Sequence, residues 1–243
     1  MRKYVIVIPC RLNSKRLKNK LLKKVNDKEI FLHTFYRCSL ATDKKNIFIA
    51  TDSKKIFNIC KDKNINVVKT SKKPLTGSDR IREFSKKINA KNYINVQGDE
   101  PIINPKNIRK VIDQTAKKSD VVYNCYSEIT YKEAQKDSIP KVVFNEKKEL
   151  IYISRSIIPF NHSKNFVKYY KQICIYSFPK KVLKYFGNKK GLIEKNEDIE
   201  ILRLIENGVT VKMIKVQAIS FAIDTLQDYN KFKKITKKQF LNF

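Results

Sequence analysis

The sequence predicts an α/β fold: a doubly wound, mainly parallel sheet flanked by helices. Three observations predict it. Short apolar runs alternate with segments of helical spacing through roughly the first 130 residues, the rhythm of strands joined by crossover helices. Residues 4–8 are apolar without alternation, as in a strand covered on both faces. The chain has 243 residues, 42% of them hydrophobic, enough to bury one sizeable core.

In chain order, the strand at 4–8 feeds a basic loop, 9–22, that carries Arg11, Lys15, Arg16, Lys18 and Lys20. Cations this crowded repel one another unless an anion joins them. Arginine forks and lysine point charges suit the oxygens of a polyphosphate. The loop lacks the glycines of a Walker A or dinucleotide fingerprint, so side chains must do most of the neutralising.

Phe31, Leu32, Phe35 and Cys38 recur at helical spacing. A second strand at 46–50 ends in Thr51-Asp52-Ser53, a helix start followed by Ile56, Ile59 and Cys60. Residues 66–69 form a third strand. In 76–80, Gly77 permits a tight turn and Ser78 is placed to cap a helix reaching about residue 88. The N–H groups of that helix end suit a base or phosphate as well as a simple cap.

The stretch Asn95-Val96-Gln97-Gly98-Asp99-Glu100-Pro101 reads as a buried strand that breaks abruptly into a polar loop. Gly98 removes a side chain where a ligand or backbone could approach, and Pro101 stops the strand. Asp99 fits either a ligand site at the strand's carboxyl end or a cap on the helix begun by Pro105.

Residues 121–126 are a further strand, and 141–144 with 150–153 flank polar residues as a hairpin does. Residues 171–178 form another strand, Pro179 begins a helix carrying Leu183, Tyr185 and Phe186, and Glu197-Asp198 opens a helix with Ile199, Leu202 and Ile205. A last strand at 209–216 precedes Asp224-Thr225 and a terminal helix with Leu226, Tyr229, Phe232 and Ile235.

The five cysteines are scattered and form no Cys-x-x-Cys pair, which argues against zinc and against a disulfide framework. Of two histidines, His33 lies in an apolar helical pattern and reads as structural. The formal charge of +30 is spread over the whole chain as lysine pairs, a compositional bias more than a nucleic-acid stripe. No segment is long and apolar enough to cross a membrane, and the first apolar run reads as a strand of a cytoplasmic protein. Asp99 and Asp224, two hard carboxylates on distant loops facing a cationic loop, suit magnesium shared with a triphosphate, and hence nucleotidyl transfer.

Residues 7–17 with Lys20, Gly77-Ser78-Asp79-Arg80, residues 95–101, Lys141-Val142-Val143, Tyr152-Ile153-Ser154-Arg155, Ile175-Tyr176 and Asp224-Thr225 resemble, in that order, the motifs of the 3-deoxy-manno-octulosonate cytidylyltransferase family. The resemblance spans essentially the whole chain. It implies a Rossmann-like fold with a small β-rich lobe, at about 138–190, for dimerisation and sugar binding. It implies a cytoplasmic homodimer that binds neither nucleic acid nor membrane. The implied reaction moves CMP from CTP to the anomeric hydroxyl of 3-deoxy-D-manno-octulosonate (Kdo), releasing pyrophosphate, for lipopolysaccharide or capsule synthesis.

By this resemblance Asp99 and Asp224 bind Mg2+, and Asp99, Asp224, Lys20 and Arg11 are the catalytic set. Arg11, Ser14, Arg16, Lys20, Gly77, Ser78, Arg80 and Gly98 bind CTP, while Gln97, Arg155, Gln172, Tyr176 and Glu200 line the sugar. The chain departs from the family pattern at three places. Lys18-Asn19 replaces Pro-Gly before Lys20, which loosens the loop and adds Lys18 as a candidate phosphate contact. Gln172-Ile173-Cys174-Ile175-Tyr176 replaces His-x-Gly-Ile-Tyr, putting an uncharged amide toward the sugar, and Leu226 replaces a proline. Gln172 keeps open another 3-deoxy-2-keto acceptor, such as 8-amino-Kdo or a nonulosonate. The overall charge keeps open a nucleic-acid-binding protein.

Overall fold

The structure is a computed structural model describing residues 1–12, 16–163, 165, 167–187, 189–217 and 221–235. Its elements are β1 (Arg2–Cys10), β2 (Lys24–Val25), β3 (Lys28–Glu29), α1 (Ile30–Ser39), β4 (Ile47–Thr51), α2 (Lys54–Asp62), β5 (Val67–Lys69), α3 (Gly77–Ser85), β6 (Ala90–Val96) and α4 (Pro105–Lys117). They continue with β7 (Val122–Ile129), α5 (Tyr131–Ala134), β8 (Lys141–Phe144), β9 (Leu150–Ser154), β10 (Tyr169–Pro179), α6 (Leu192–Glu197), α7 (Leu202–Glu206), β11 (Val211–Lys215) and α8 (Leu226–Lys233).

The main sheet runs β11-β7-β10-β6-β1-β4-β5. Its pairings are parallel except where β10 lies antiparallel between β6 and β7. The hairpin β8–β9 joins the start of β10 through Lys141 opposite Lys171. The apolar character of β1 follows from burial on both sides. Ile6 and Ile8 pack in one core cluster with α1 and α4, whereas Val5 and Val7 pack in the other with Phe84, Tyr93 and Phe178, as the two-residue period of a strand requires.

Three local expectations are corrected. The segment after Pro179 is a 3-10 stretch, Lys180–Tyr185, and not an α-helix. Glu197-Asp198 closes α6 instead of opening a helix. Asp198 turns left-handed at φ 51°, and the Glu197 carboxylate is drawn into tertiary contacts, accepting from Ser154 Oγ at 2.7 Å and Arg155 N at 2.8 Å. The cap of α3 is Thr76, whose hydroxyl accepts from Asp79 N while the Asp79 carboxylate accepts from Thr76 N. Such a reciprocal box satisfies two orphan donors where a lone serine satisfies one.

His33 is buried, as expected of a structural residue. Its Nε2 lies 2.8 Å from the Val25 carbonyl and its ring meets Phe232 edge-on. The five cysteines are free.

Behind α3 sits a buried ion triad. Arg203 Nε and Nη2 donate to the two Glu194 oxygens at 2.6 and 2.8 Å, and Nη1 donates to Asp79 Oδ1 at 2.7 Å. All three side chains are at most 4% exposed. Replacing the arginine strands two carboxylates in the interior, a loss that costs far more than the intact pair contributes. Arg203→Met is therefore expected to lower unfolding free energy by about 3–5 kcal/mol, read as a shifted urea midpoint with an unchanged slope.

Candidate active site

Three loops meet at the carboxyl ends of the parallel strands, where a sheet holds polar groups still while leaving them accessible. The first follows β1. Leu17 and Leu21 are buried, at 7% and 4% exposure, and pin the loop to the core. Between them Asn19 adopts φ 52°, the left-handed conformation that glycine favours and asparagine tolerates best among other residues. Asn19 thus takes a turn that glycine would adopt more readily, and Lys20 follows directly from it.

The Lys20 ammonium stands 2.5 Å from Asp99 Oδ2 and 2.9 Å from Asp224 Oδ1. Arg16 Nη2 lies 3.0 Å from the other Asp224 oxygen. The carboxylate loops are also joined through backbone, since Ile223 N donates to Asp99 O at 2.9 Å. Burial disfavours the Lys20 ammonium, but Asp99 and then Asp224 outweigh it and raise its pKa above the ordinary lysine value. Burial likewise opposes ionisation of Asp224, and Lys20 and Arg16 overcome it, holding this carboxyl below its ordinary range. Among the described residues no three His, Cys, Asp or Glu side chains gather into a metal cage.

Gly98 is required by close packing. A Cβ there would stand 2.9 Å from Cys10 Sγ and 3.1 Å from the Pro9 carbonyl oxygen. Thr34 Oγ1 donates to the Gly98 carbonyl at 3.0 Å, fixing the turn that presents Asp99. A Cβ on Gly77 would press on both the Gln97 amide and Pro9, each at 3.2 Å. Arg11 is exposed and donates to the Leu75 carbonyl at 3.0 Å. Arg80 is buried, contacting Thr70 Oγ1, Ser71 O and, at 3.6 Å, Asp52. It braces the loop ahead of α3. Ser14 lies outside the described residues.

Of the five residues expected along the sugar, two meet directly. Glu200 accepts from Gln97 Nε2 at 3.2 Å, from Ser78 N at 3.0 Å and from Asn95 Nδ2 at 3.4 Å. Arg155 sits in a neighbouring cluster, its Nε donating to the Glu197 carbonyl at 2.7 Å and its Nη1 to Asp137 O at 3.2 Å. Gln172 and Tyr176 are buried in the sheet, at 7% and 2% exposure. Gln172 Nε2 donates to Asn124 Oδ1, and Asn124 Nδ2 in turn donates to the Ile173 and Ile175 carbonyls, all within 3.1 Å. This bracing follows a register shift in β10, where Ile173 faces Cys125 but Tyr176 faces Asn124.

The sequence reading missed Glu197, Asn95 and Cys174. Cys174 lies inside the bulge, its thiol near the Tyr176 hydroxyl. Burial raises its pKa, and Glu100, Glu200 and Asp99 add to that. Its signal was visible as the residue replacing the family's motif glycine. Leu226, in place of the family's proline, is the first residue of α8, a position that accommodates proline because its N–H has no partner within the helix.

A family model described as Cytidylyltransferase matches residues 5–239. The chain belongs to this family. A 3-deoxy-manno-octulosonate cytidylyltransferase of Elusimicrobium minutum is 34% identical over 95% of this chain and 96% of its own length. One from Solibacter usitatus is 30% identical over 99% of this chain and 97% of its own. A solved CMP:2-keto-3-deoxy-manno-octonic acid synthetase complexed with CTP superposes with TM-score 0.89 at 29% identity, covering 95% of this chain and 97% of that one. A Bacillus anthracis protein solved in complex with a sucrose shares the fold, with TM-score 0.70 at 15% identity. The protein is a cytidylyltransferase with a Rossmann-like, mostly parallel sheet.

Burial raises the Glu200 carboxyl above the ordinary glutamate value despite the bonds it accepts from Ser78 and Thr76. An acid raised on folding favours the native state most below its unfolded pKa, and that benefit fades as pH climbs through the folded one. In a carboxyl-labelled NMR titration, one glutamate should titrate above the rest and vanish in Glu200→Gln. A spectrum with every glutamate in the ordinary range would contradict this.

Proposed function

We propose that this cytidylyltransferase transfers CMP from CTP to the anomeric hydroxyl of 3-deoxy-D-manno-octulosonate, releasing pyrophosphate. The observation that carries the reading is the pair Asp99 and Asp224 gathered around Lys20 beside Arg16, an arrangement of two hard carboxylates and neighbouring cations suited to a metal-bound triphosphate. The names of the relatives support the acceptor.

Asp99 and Asp224 would hold magnesium, which needs only one or two protein carboxylates because substrate oxygens and water complete its shell. When bound, the ion polarises the α-phosphate and makes the sugar hydroxyl more acidic. Arg11, Arg16 and Lys20 neutralise the triphosphate. Gln97 and Glu200 offer a donor and an acceptor to sugar hydroxyls, and Arg155 carries a guanidinium suited to the sugar's carboxylate. The sugar hydroxyl gives up its proton to solvent, its oxygen bonds to the α-phosphorus as the bond to the bridging oxygen breaks, and pyrophosphate leaves in line with the attack. Positioning and charge neutralisation dominate such a displacement.

We further propose a homodimer formed through the lobe at about 138–190. Ile151 and Phe160, 56% and 82% exposed, support it as large apolar residues left uncovered there. Light scattering should give twice the 28.6 kDa chain mass, and a monomer at micromolar concentration would contradict it.

Asp99→Asn should lower CTP-dependent pyrophosphate release on the order of 10²–10³-fold with the fold retained by circular dichroism. A panel of 3-deoxy-2-keto sugar acids tests the acceptor. Preference for Kdo supports the proposal, and preference for a nine-carbon or amino-substituted acid overturns it.

A further inference from the structure

We infer that Lys20 couples metal binding to nucleotide binding, because its ammonium holds the place at which a divalent cation would share Asp99 and Asp224. The inference rests on the magnesium reading of those carboxylates. Lys20 Nζ lies 2.5 Å from one Asp99 oxygen and 2.9 Å from one Asp224 oxygen, so the two acids already share a cation. A magnesium ion bonds oxygen at about 2.0–2.1 Å and brings two charges. It cannot use the same two oxygens while an ammonium touches both.

Lys20 has somewhere to go. It carries a compact charge on a flexible four-carbon stem, on the loop that also carries Arg11 and Arg16. A triphosphate arriving at that loop offers the ammonium a more highly charged partner. Moving Lys20 onto the phosphate frees the carboxylate oxygens at the moment the nucleotide delivers oxygens of its own. Arg16 does not duplicate this role. It is 64% exposed, and among the described residues its ion pair is to the Asp224 oxygen that Lys20 leaves free. Without nucleotide the carboxylates are neutralised and bind metal weakly; with nucleotide they bind it well. Linkage makes the effect reciprocal, so metal strengthens CTP binding by the same factor.

The test titrates Mn2+ alone into nucleotide-free protein and reads free ion by electron paramagnetic resonance. Lys20→Met should bind Mn2+ at least about tenfold more tightly than the wild type, within the usual span of coupling between sites. Lys20→Gln should shift in the same direction, and circular dichroism checks that each variant is folded. The added affinity should disappear in Lys20→Met/Asp99→Asn. Unchanged or weaker Mn2+ binding in both Lys20 variants overturns the coupling, as does added affinity that survives Asp99→Asn. The carboxylate reading is tested separately, in wild-type protein with CTP present. Mn2+ binding there that is lost in Asp99→Asn keeps that reading even if the coupling fails, and binding indifferent to Asp99 overturns both.

Discussion

One ammonium group joins the two ends of the cytidylyltransferase's candidate site. Lys20 meets carboxylates 79 and 204 residues further along the chain, so the pairing depends on the fold's long-range order. The parallel registers of β1 with β6 and β4 bring the first two loops to one edge of the sheet. The bond from Ile223 N to Asp99 O then brings in the third. Brought close without a cation, two carboxylates repel. Lys20 relieves that repulsion by pairing with both carboxylates.

The opposite side of the site is held by hydrogen bonds to the Glu200 carboxyl group and by an ion triad set behind it. Glu200 gathers the Ser78 N–H, the Gln97 amide and the Asn95 amide, tying the first turn of α3 to the end of β6. Asp79, one residue after Ser78, is fixed from behind by Arg203 and by Gly187 N. The same short helix start therefore meets a hydrogen-bonded polar cluster on one side and a buried charge network on the other. In β10 the bulge is held by Asn124 and Gln172, and the side chain it displays beside the acidic residues is Cys174.

Much of this was legible in the chain. Strands whose residues are all apolar, such as β1, announce burial on both faces. Two acids placed after apolar runs, with a basic loop between strand and helix, announce a charged ligand at the sheet edge. What the sequence concealed is tertiary. Glu197 carries a helix-start signal, yet its carboxylate is more strongly satisfied by Ser154 and Arg155, so α6 ends there. The strand pattern of 171–178 gives no sign that β10 runs antiparallel or carries a bulge, because apolar content is the same in either direction. That bulge, with Asn124 bridging two of its carbonyls, is why Gln172 turns its amide into the sheet. Asn19 holds a left-handed backbone, a conformation local propensity allows but does not dictate.

The central claim is that Asp99 and Asp224 act as one unit. Turnover of the single variants Asp99→Asn and Asp224→Asn, compared with the double variant in a thermodynamic cycle, tests it most directly. Groups that act together are strongly non-additive, so the double variant should be little worse than the poorer single one. Losses that multiply across the two substitutions would show two independent acids and contradict the account.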